Sequence, residues 1–230
     1  MLDGGIPPPS PERGTTPVLR AIQHPHPAPF STLRRRRGEK AVWAPSAYSR
    51  SVAALLDRAS AIDSTFHMHA ANVAALAVRV AEELGLERDE VELLGLAAAV
   101  HDVGKVEVAA AIIAKPGALD ADEWESVRCH PSVGADLLRE CEVPLSVAAI
   151  VRSHHERWDG AGYPDGLRGT DIPLGARIVA VADAYCAMLE ERPYRRSLRP
   201  REARAELRIQ AGRQFDPVCA EATCRVVDAG

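Results

Sequence analysis

Six of the eight histidines fall between positions 67 and 155, and most of these sit at the ends of apolar segments. His101-Asp102 follows Leu96-Ala97-Ala98-Ala99-Val100, so an imidazole and a carboxylate arrive together at the end of an apolar helix. Burying both is costly unless they are paired or bind a metal. His154-His155 ends a second apolar segment, VPLSVAAIVRSHHE, and His130-Pro131 starts a further helix. Adjacent helical residues point about 100° apart, so His154 and His155 can reach two different metals or two sides of one. Asp183 lies inside RIVAVADAY, apolar on nearly all sides and too deep in its helix to act as a cap. His69 belongs to a helix whose Val73, Leu76 and Val80 pack inward, which can carry its ring to the same centre. His67 faces elsewhere, and His24 and His26 lie in an exposed tail.

The candidate metal ligands are therefore His69, His101, Asp102, His130, His154, His155 and Asp183. Nitrogen and carboxylate donors without thiolates favour Fe, Mn, Zn, Co or Ni over a structural cysteine site. Seven side chains exceed the needs of one tetrahedral ion. Two divalent ions about 3.5–4 Å apart, sharing a bridging Asp and a bridging hydroxide, use them naturally. Such a pair holds an in-line nucleophile against phosphorus and neutralises the non-bridging oxygens, so the expected chemistry is phosphoester hydrolysis. Lys105, three residues past Asp102, can reach a phosphate bound at the ions. Arg192 and Arg195, in ERPYRR beyond the helix carrying Asp183, offer guanidinium forks that match phosphate oxygens. No Ser-His-Asp arrangement is evident.

These groups need helices to hold them. From Ser46 onward apolar residues recur at helical spacing, which predicts helices over about 47–62, 67–83, 89–100, 120–130, 131–140, 144–156, 176–190, 200–211 and 217–227. An irregular segment runs through AKPG, and residues 157–175, with five glycines and two prolines, form a loop too elaborate to be a linker. No strand alternation persists, so the fold class is all-α, with a helical domain over 46–230. Residues 1–45 hold nine of the 17 prolines and carry a net charge of +4 from seven basic and three acidic residues. This is a Pro-rich basic tail without a face to bury, expected to be disordered, and Arg34–Arg37 reads as a solvated linker.

Composition sets further bounds. The 230 residues are 47% hydrophobic but only 4% aromatic, so the core must be built of Ala, Val and Leu. A formal charge of −4 and the shortage of stacking platforms argue against a DNA or RNA binder. No run reaches the roughly 18 apolar residues of a membrane span. The first 30 residues lack a signal-peptide plan, so a cytoplasmic location is expected. Five widely spaced cysteines without CxxC read as reduced core residues.

The order of HDVGK (101–105), KPG (115–117), HPSVG (130–134), HHERWDGAGYP (154–164), LRGTDIP (167–173), ARIVAVADAY (176–185), RPYR (192–195) and FDP (215–217) resembles the HD-GYP family of the HD phosphohydrolase superfamily. The resemblance implies an HD-type helical bundle around a binuclear metal centre, most often iron or manganese, and a phosphodiesterase acting on a cyclic dinucleotide, above all cyclic di-GMP. It implies that the seven candidate ligands hold the metals with Asp102 as the bridge. Lys105, Arg192 and Arg195 become phosphate contacts, with Asp102 and Lys105 at the chemistry. Gly162-Tyr163-Pro164 is expected as a stiff rim loop that can meet a regulatory partner, not as a proton-transfer group. A homodimer is plausible for such a module.

This sequence also departs from the family pattern. Thr65 stands where some members place a Glu for a third metal, which favours two ions over three. Asn72 replaces a common Arg, Cys186 a common acidic residue and Ala109-Ala110 the usual Pro-Asp. Cys186 reads as a packing residue. The departures keep two alternatives open: a weak or inactive cyclic-dinucleotide sensor or protein-interaction module, and an HD phosphohydrolase for another nucleotide or phosphomonoester.

Overall fold

The computed structural model describes residues 48–63, 65–190 and 197–229. The tail expected over 1–45, and the phosphate contacts expected at Arg192 and Arg195, lie outside the described residues. Among the described residues the chain is all-helical: α1 (Tyr48–Ile62), α2 (Phe66–Glu83), α3 (Arg88–Ala99), α4 (Ala110–Ile113), α5 (Ala121–Arg128), α6 (His130–Glu140), α7 (Leu145–Ser153), α8 (Leu174–Leu189), α9 (Pro200–Gln210) and α10 (Pro217–Asp228). Strand pairing among them is limited to an isolated bridge between Ala211 and Phe215. No described helix is long and apolar enough to cross a membrane.

Every helix expected from periodicity is present. The single turn of α4 and the 3₁₀ segments Val103–Glu107 and Gly169–Asp171 were not expected, because one turn is too short to show a period. The ends follow local chemistry. Glu87 and Asp120 form capping boxes at the starts of α3 and α5, and Pro131 enters the first turn of α6, where a missing N–H loses no helical bond.

On α2, Phe66, Ala70, Val73, Ala77 and Val80 recur every three or four residues and form one buried stripe. That stripe lies at the middle of the bundle, since α2 packs against both α3 and α8. The partners present small or aliphatic side chains: Leu94, Ala97 and Ala98 on α3, and Ile178, Val179 and Ala182 on α8, all essentially inaccessible. The aliphatic core expected from the scarcity of aromatics is what the structure has. Small residues let helix axes approach closely, at the density of any protein interior.

Two further contacts position the site. The HDVGK turn lies backbone-to-backbone against α6: a Cβ on Gly104 would sit 2.0 Å from the His130 carbonyl oxygen and 2.5 Å from the Gly134 nitrogen. This leaves no room for a side chain, and it brings the turn carrying Asp102 against the start of α6. At the other end of the bundle, Arg177 of α8 donates to Asp216 at 2.5 Å and to the Ile172 carbonyl at 2.9 Å. Asp216 also caps α10 by accepting from the Val218 N–H at 2.8 Å. The FDP motif is therefore a buried ion-paired joint that sets α10 against α8.

Gly104→Ala must push α6 away from the HDVGK turn. Overpacking of this kind costs roughly 2 kcal/mol, and in a domain of this size Tm is expected to fall by about 4–8 °C. Thermal unfolding followed by circular dichroism checks this, and an unchanged Tm would refute the close contact.

Candidate metal centre

Three of the expected ligands share one local design. His101, His130 and His154 each lie just past the end of a helix, respectively α3, α5 and α7. The last carbonyls of a helix have no N–H partner within it. Each imidazole uses one: Nδ1 of His101 donates to the Ala98 carbonyl at 2.7 Å, Nδ1 of His130 to Val127 at 2.7 Å, and Nδ1 of His154 to Val151 at 2.6 Å. A carbonyl oxygen only accepts, so the proton sits on Nδ1 and Nε2 carries a lone pair. Each histidine bonds the carbonyl three residues before it, and the result is three rings of fixed tautomer aimed inward. The negative ends of the helix dipoles favour a cation there.

What they aim at is crowded with acceptors. Nε2 of His130 lies 3.3 Å from Nε2 of His154 and 3.1 Å from Oδ1 of Asp102. Nε2 of His101 lies 3.5 Å from Oδ2 of Asp102. With the protons on Nδ1, these are lone pairs facing lone pairs, and His101 Nε2 and Asp102 Oδ1 are buried without a hydrogen-bond partner. Each such group costs on the order of 1–3 kcal/mol. A metal ion removes that cost.

The donors sort into two adjoining groups, each able to hold one ion: Asp102, His130, His154 and His155, and His69, His101 and Asp183. A ring contact links them, with the centroids of His101 in the second group and His154 in the first 5.1 Å apart. Asp102 directs Oδ1 at the first group and Oδ2 at His101 of the second. The structure therefore brings all seven expected ligands together in a binuclear metal-binding site, and His154 and His155 serve the same group. His67, two residues from His69, is exposed as expected. No thiolate joins: burial pushes the Cys186 thiol up to about 12, so it stays protonated.

Electrostatics agree with this sorting. Burial, then the neighbouring histidines, hold His154 well below its ordinary value, and burial with His130 lowers His155 to about 4. Both are neutral and ready to donate. Burial resists charge on Asp102, but Lys105, with Nζ 2.5 Å from Oδ2, keeps it ionised well below the usual range. His69 behaves differently. Burial opposes its charge, but Asp183 at 3.0 Å on Nε2 and Glu190 at 2.8 Å on Nδ1 prevail and raise it to about 9. Its proton stands in for positive charge until an ion replaces it.

The rim is built from residues that sequence reasoning used little or missed. Tyr163 stacks beside His155 with centroids 5.0 Å apart, and the Arg128 guanidinium lies 4.9 Å over the Tyr163 ring. Burial pushes the Tyr163 phenol up to about 12, so it remains a hydrogen-bond donor. Glu156, buried to 3% exposure, gathers the backbone N–H groups of Asp165 (2.6 Å), Gly166 (3.0 Å) and Leu167 (3.1 Å). Gly162 lies against the Glu156–Arg157 backbone, where a Cβ would come within 2.3 Å of the Arg157 nitrogen. An acidic residue directly after two ligand histidines was the available signal for Glu156. Arg128 had none.

Elemental analysis of the metal-reconstituted chain is expected to count two divalent ions per chain; a count of none would overturn the site. Glu156→Ala removes three hydrogen bonds to a carboxylate, each of about 1.5–3 kcal/mol. Amide exchange at Asp165–Leu167 is expected to quicken at least about tenfold, and unchanged protection would show that Glu156 does not hold the loop.

The comparisons with known proteins point the same way. The family model described as "HD domain" matches residues 48–219. The cyclic di-GMP phosphodiesterase response regulator RpfG of Xanthomonas campestris is 44% identical over 164 residues, covering 70% of this chain and 43% of the relative. The 3'3'-cGAMP-specific phosphodiesterase 2 of Vibrio cholerae is 39% identical over 155 residues, covering 66% of this chain and 30% of the relative. This chain thus spans less than half the length of these curated relatives. In fold it is similar to the HDG"Y"P protein Bd1817 of Bdellovibrio bacteriovorus, with a TM-score of 0.61 at 21% identity over 79% of this chain and 61% of that one. The helical bundle, the paired ligand groups and the family match over most of its length lead to one conclusion: this chain belongs to the HD-domain family.

Proposed function

We propose that this protein is a metal-dependent phosphodiesterase that hydrolyses a cyclic dinucleotide, with cyclic di-GMP the preferred substrate. The observation that carries the reading is the placement of Asp102, whose two oxygens face different ligand groups and so would serve one ion each. The relatives support the substrate class, since they include phosphodiesterases for cyclic di-GMP and for 3'3'-cGAMP. An all-nitrogen-and-oxygen donor set suits Fe, Mn, Zn, Co or Ni, and the family resemblance puts Fe or Mn first.

When bound, the two ions supply an activated water and neutralise charge on the phosphate oxygens. The protein supplies the rest. Asp102 would span both ion positions, since its two oxygens face the two ligand groups. His101, His130 and His154, locked by their carbonyl bonds, need no reorientation when the site loads. Lys105, 31% exposed and already at the Asp102 carboxylate, sits where its ammonium can pass to an equatorial phosphate oxygen as charge develops. The Tyr163 phenol offers a neutral donor beside His155, and Arg128 stacked on it brings a fixed guanidinium to the rim. Arg192 and Arg195 are proposed to hold the second phosphodiester. Contact with a regulatory partner through Gly162-Tyr163-Pro164 belongs to the same reading.

The test is product analysis after reconstitution with Mn²⁺ or Fe²⁺, comparing cyclic di-GMP with 3'3'-cGAMP. Linear dinucleotide formed faster from cyclic di-GMP is the expected result. Tight binding without product would replace the enzyme reading with a sensor. Asp102→Ala is expected to lose metal and at least about 100-fold in turnover. Lys105→Ala is expected to keep both ions while kcat/KM falls about 10–150-fold, the value of one charged hydrogen bond.

A further inference from the structure

His101, His130 and His154 are oriented by helix-end carbonyls, but His69 has no such resource. It lies inside α2, where the carbonyls are already engaged in the helix's own hydrogen bonds. A side chain must therefore do for His69 what the backbone does for the others. Glu190 is in that place, with Oε1 2.8 Å from His69 Nδ1. It stands at the end of α8, seven residues after Asp183, and two helical turns return it to the same face. One helix thus addresses both nitrogens of one ring: Asp183 on Nε2 at 3.0 Å and Glu190 on Nδ1.

We infer that Glu190 is the positioning residue for the ion held by His69, His101 and Asp183, fixing the His69 ring with Nε2 toward the ion. The inference rests on reading the two donor groups as metal sites. A carboxylate behind a ligating imidazole fixes its tautomer and raises its basicity, and losing one typically weakens metal binding about 10–100-fold. Glu190 reaches the donor group of His69, whereas the group of Asp102, His130, His154 and His155 has its own carbonyl supports. Glu190 therefore bears on the ion position that His69 shares.

The test is a titration of the metal-free chain with Co²⁺, followed by visible absorption and by equilibrium dialysis. The wild-type chain is expected to bind two ions. In Glu190→Ala one ion binds as before and the other about 10–100-fold more weakly. Glu190→Gln, which keeps an oxygen to accept from Nδ1–H, is expected to recover most of that loss. Unchanged binding in the Ala variant, equal weakening of both ions, or a Gln variant no better than Ala would each overturn the assignment. A wild-type chain that takes up no Co²⁺ at all would instead overturn the metal-site reading on which it rests.

Discussion

An α-helix leaves its last carbonyls without partners, and this protein turns that deficit into a metal centre. Three helices stop, and one or two residues later each presents a histidine whose Nδ1 donates to a carbonyl of the last turn. Tautomer and ring direction are settled by backbone geometry before any ligand arrives. The remaining nitrogens converge on a buried carboxylate and on one another, an arrangement stable only around positive charge. Lys105 and the proton on His69 provide part of that charge within the protein, which is how such a concentration of acceptors coexists with a folded core.

Much of this was legible in the sequence because the ligands interrupt strongly apolar helices. His101-Asp102 after a run of alanines, and Asp183 amid valines, are anomalous at the level of composition alone. The helices themselves follow from period and capping. What the sequence could not show is pairing across distance. Nothing in local pattern says that His154 and His155 join one group, or that the paired carboxylates of α8 bracket His69. Glu190 carries no local mark of its place, Glu156 only its position after two ligand histidines, and Arg128 acquires its place through Tyr163, 35 positions away.

The loop between α7 and α8 shows a second economy. Its shape comes from a single buried carboxylate collecting three backbone donors and from a glycine pressed against that same residue's backbone. The residue directly before that carboxylate is a ligand histidine. Ring stacking from His155 through Tyr163 to Arg128 then carries order outward from the centre to the surface. Rim and centre are one continuous packed structure, so a change in loop sequence reaches the ligands through a single peptide bond.

The meeting of Gly104 with Gly134 has a consequence for the whole bundle. The ligands come from α2, the turn after α3, the start of α6, the turn after α7, and α8, segments spread over more than a hundred residues. At the glycine contact two of these segments touch through bare backbone, so separating them by the width of a methyl group parts donors on either side. Ion occupancy and bundle closure are then the same event viewed from two sides. Free-energy linkage follows, with each bound ion adding RT ln(1 + [M]/Kd) to the resistance against unfolding, and the centre acts as the clasp of the fold as well as its chemistry.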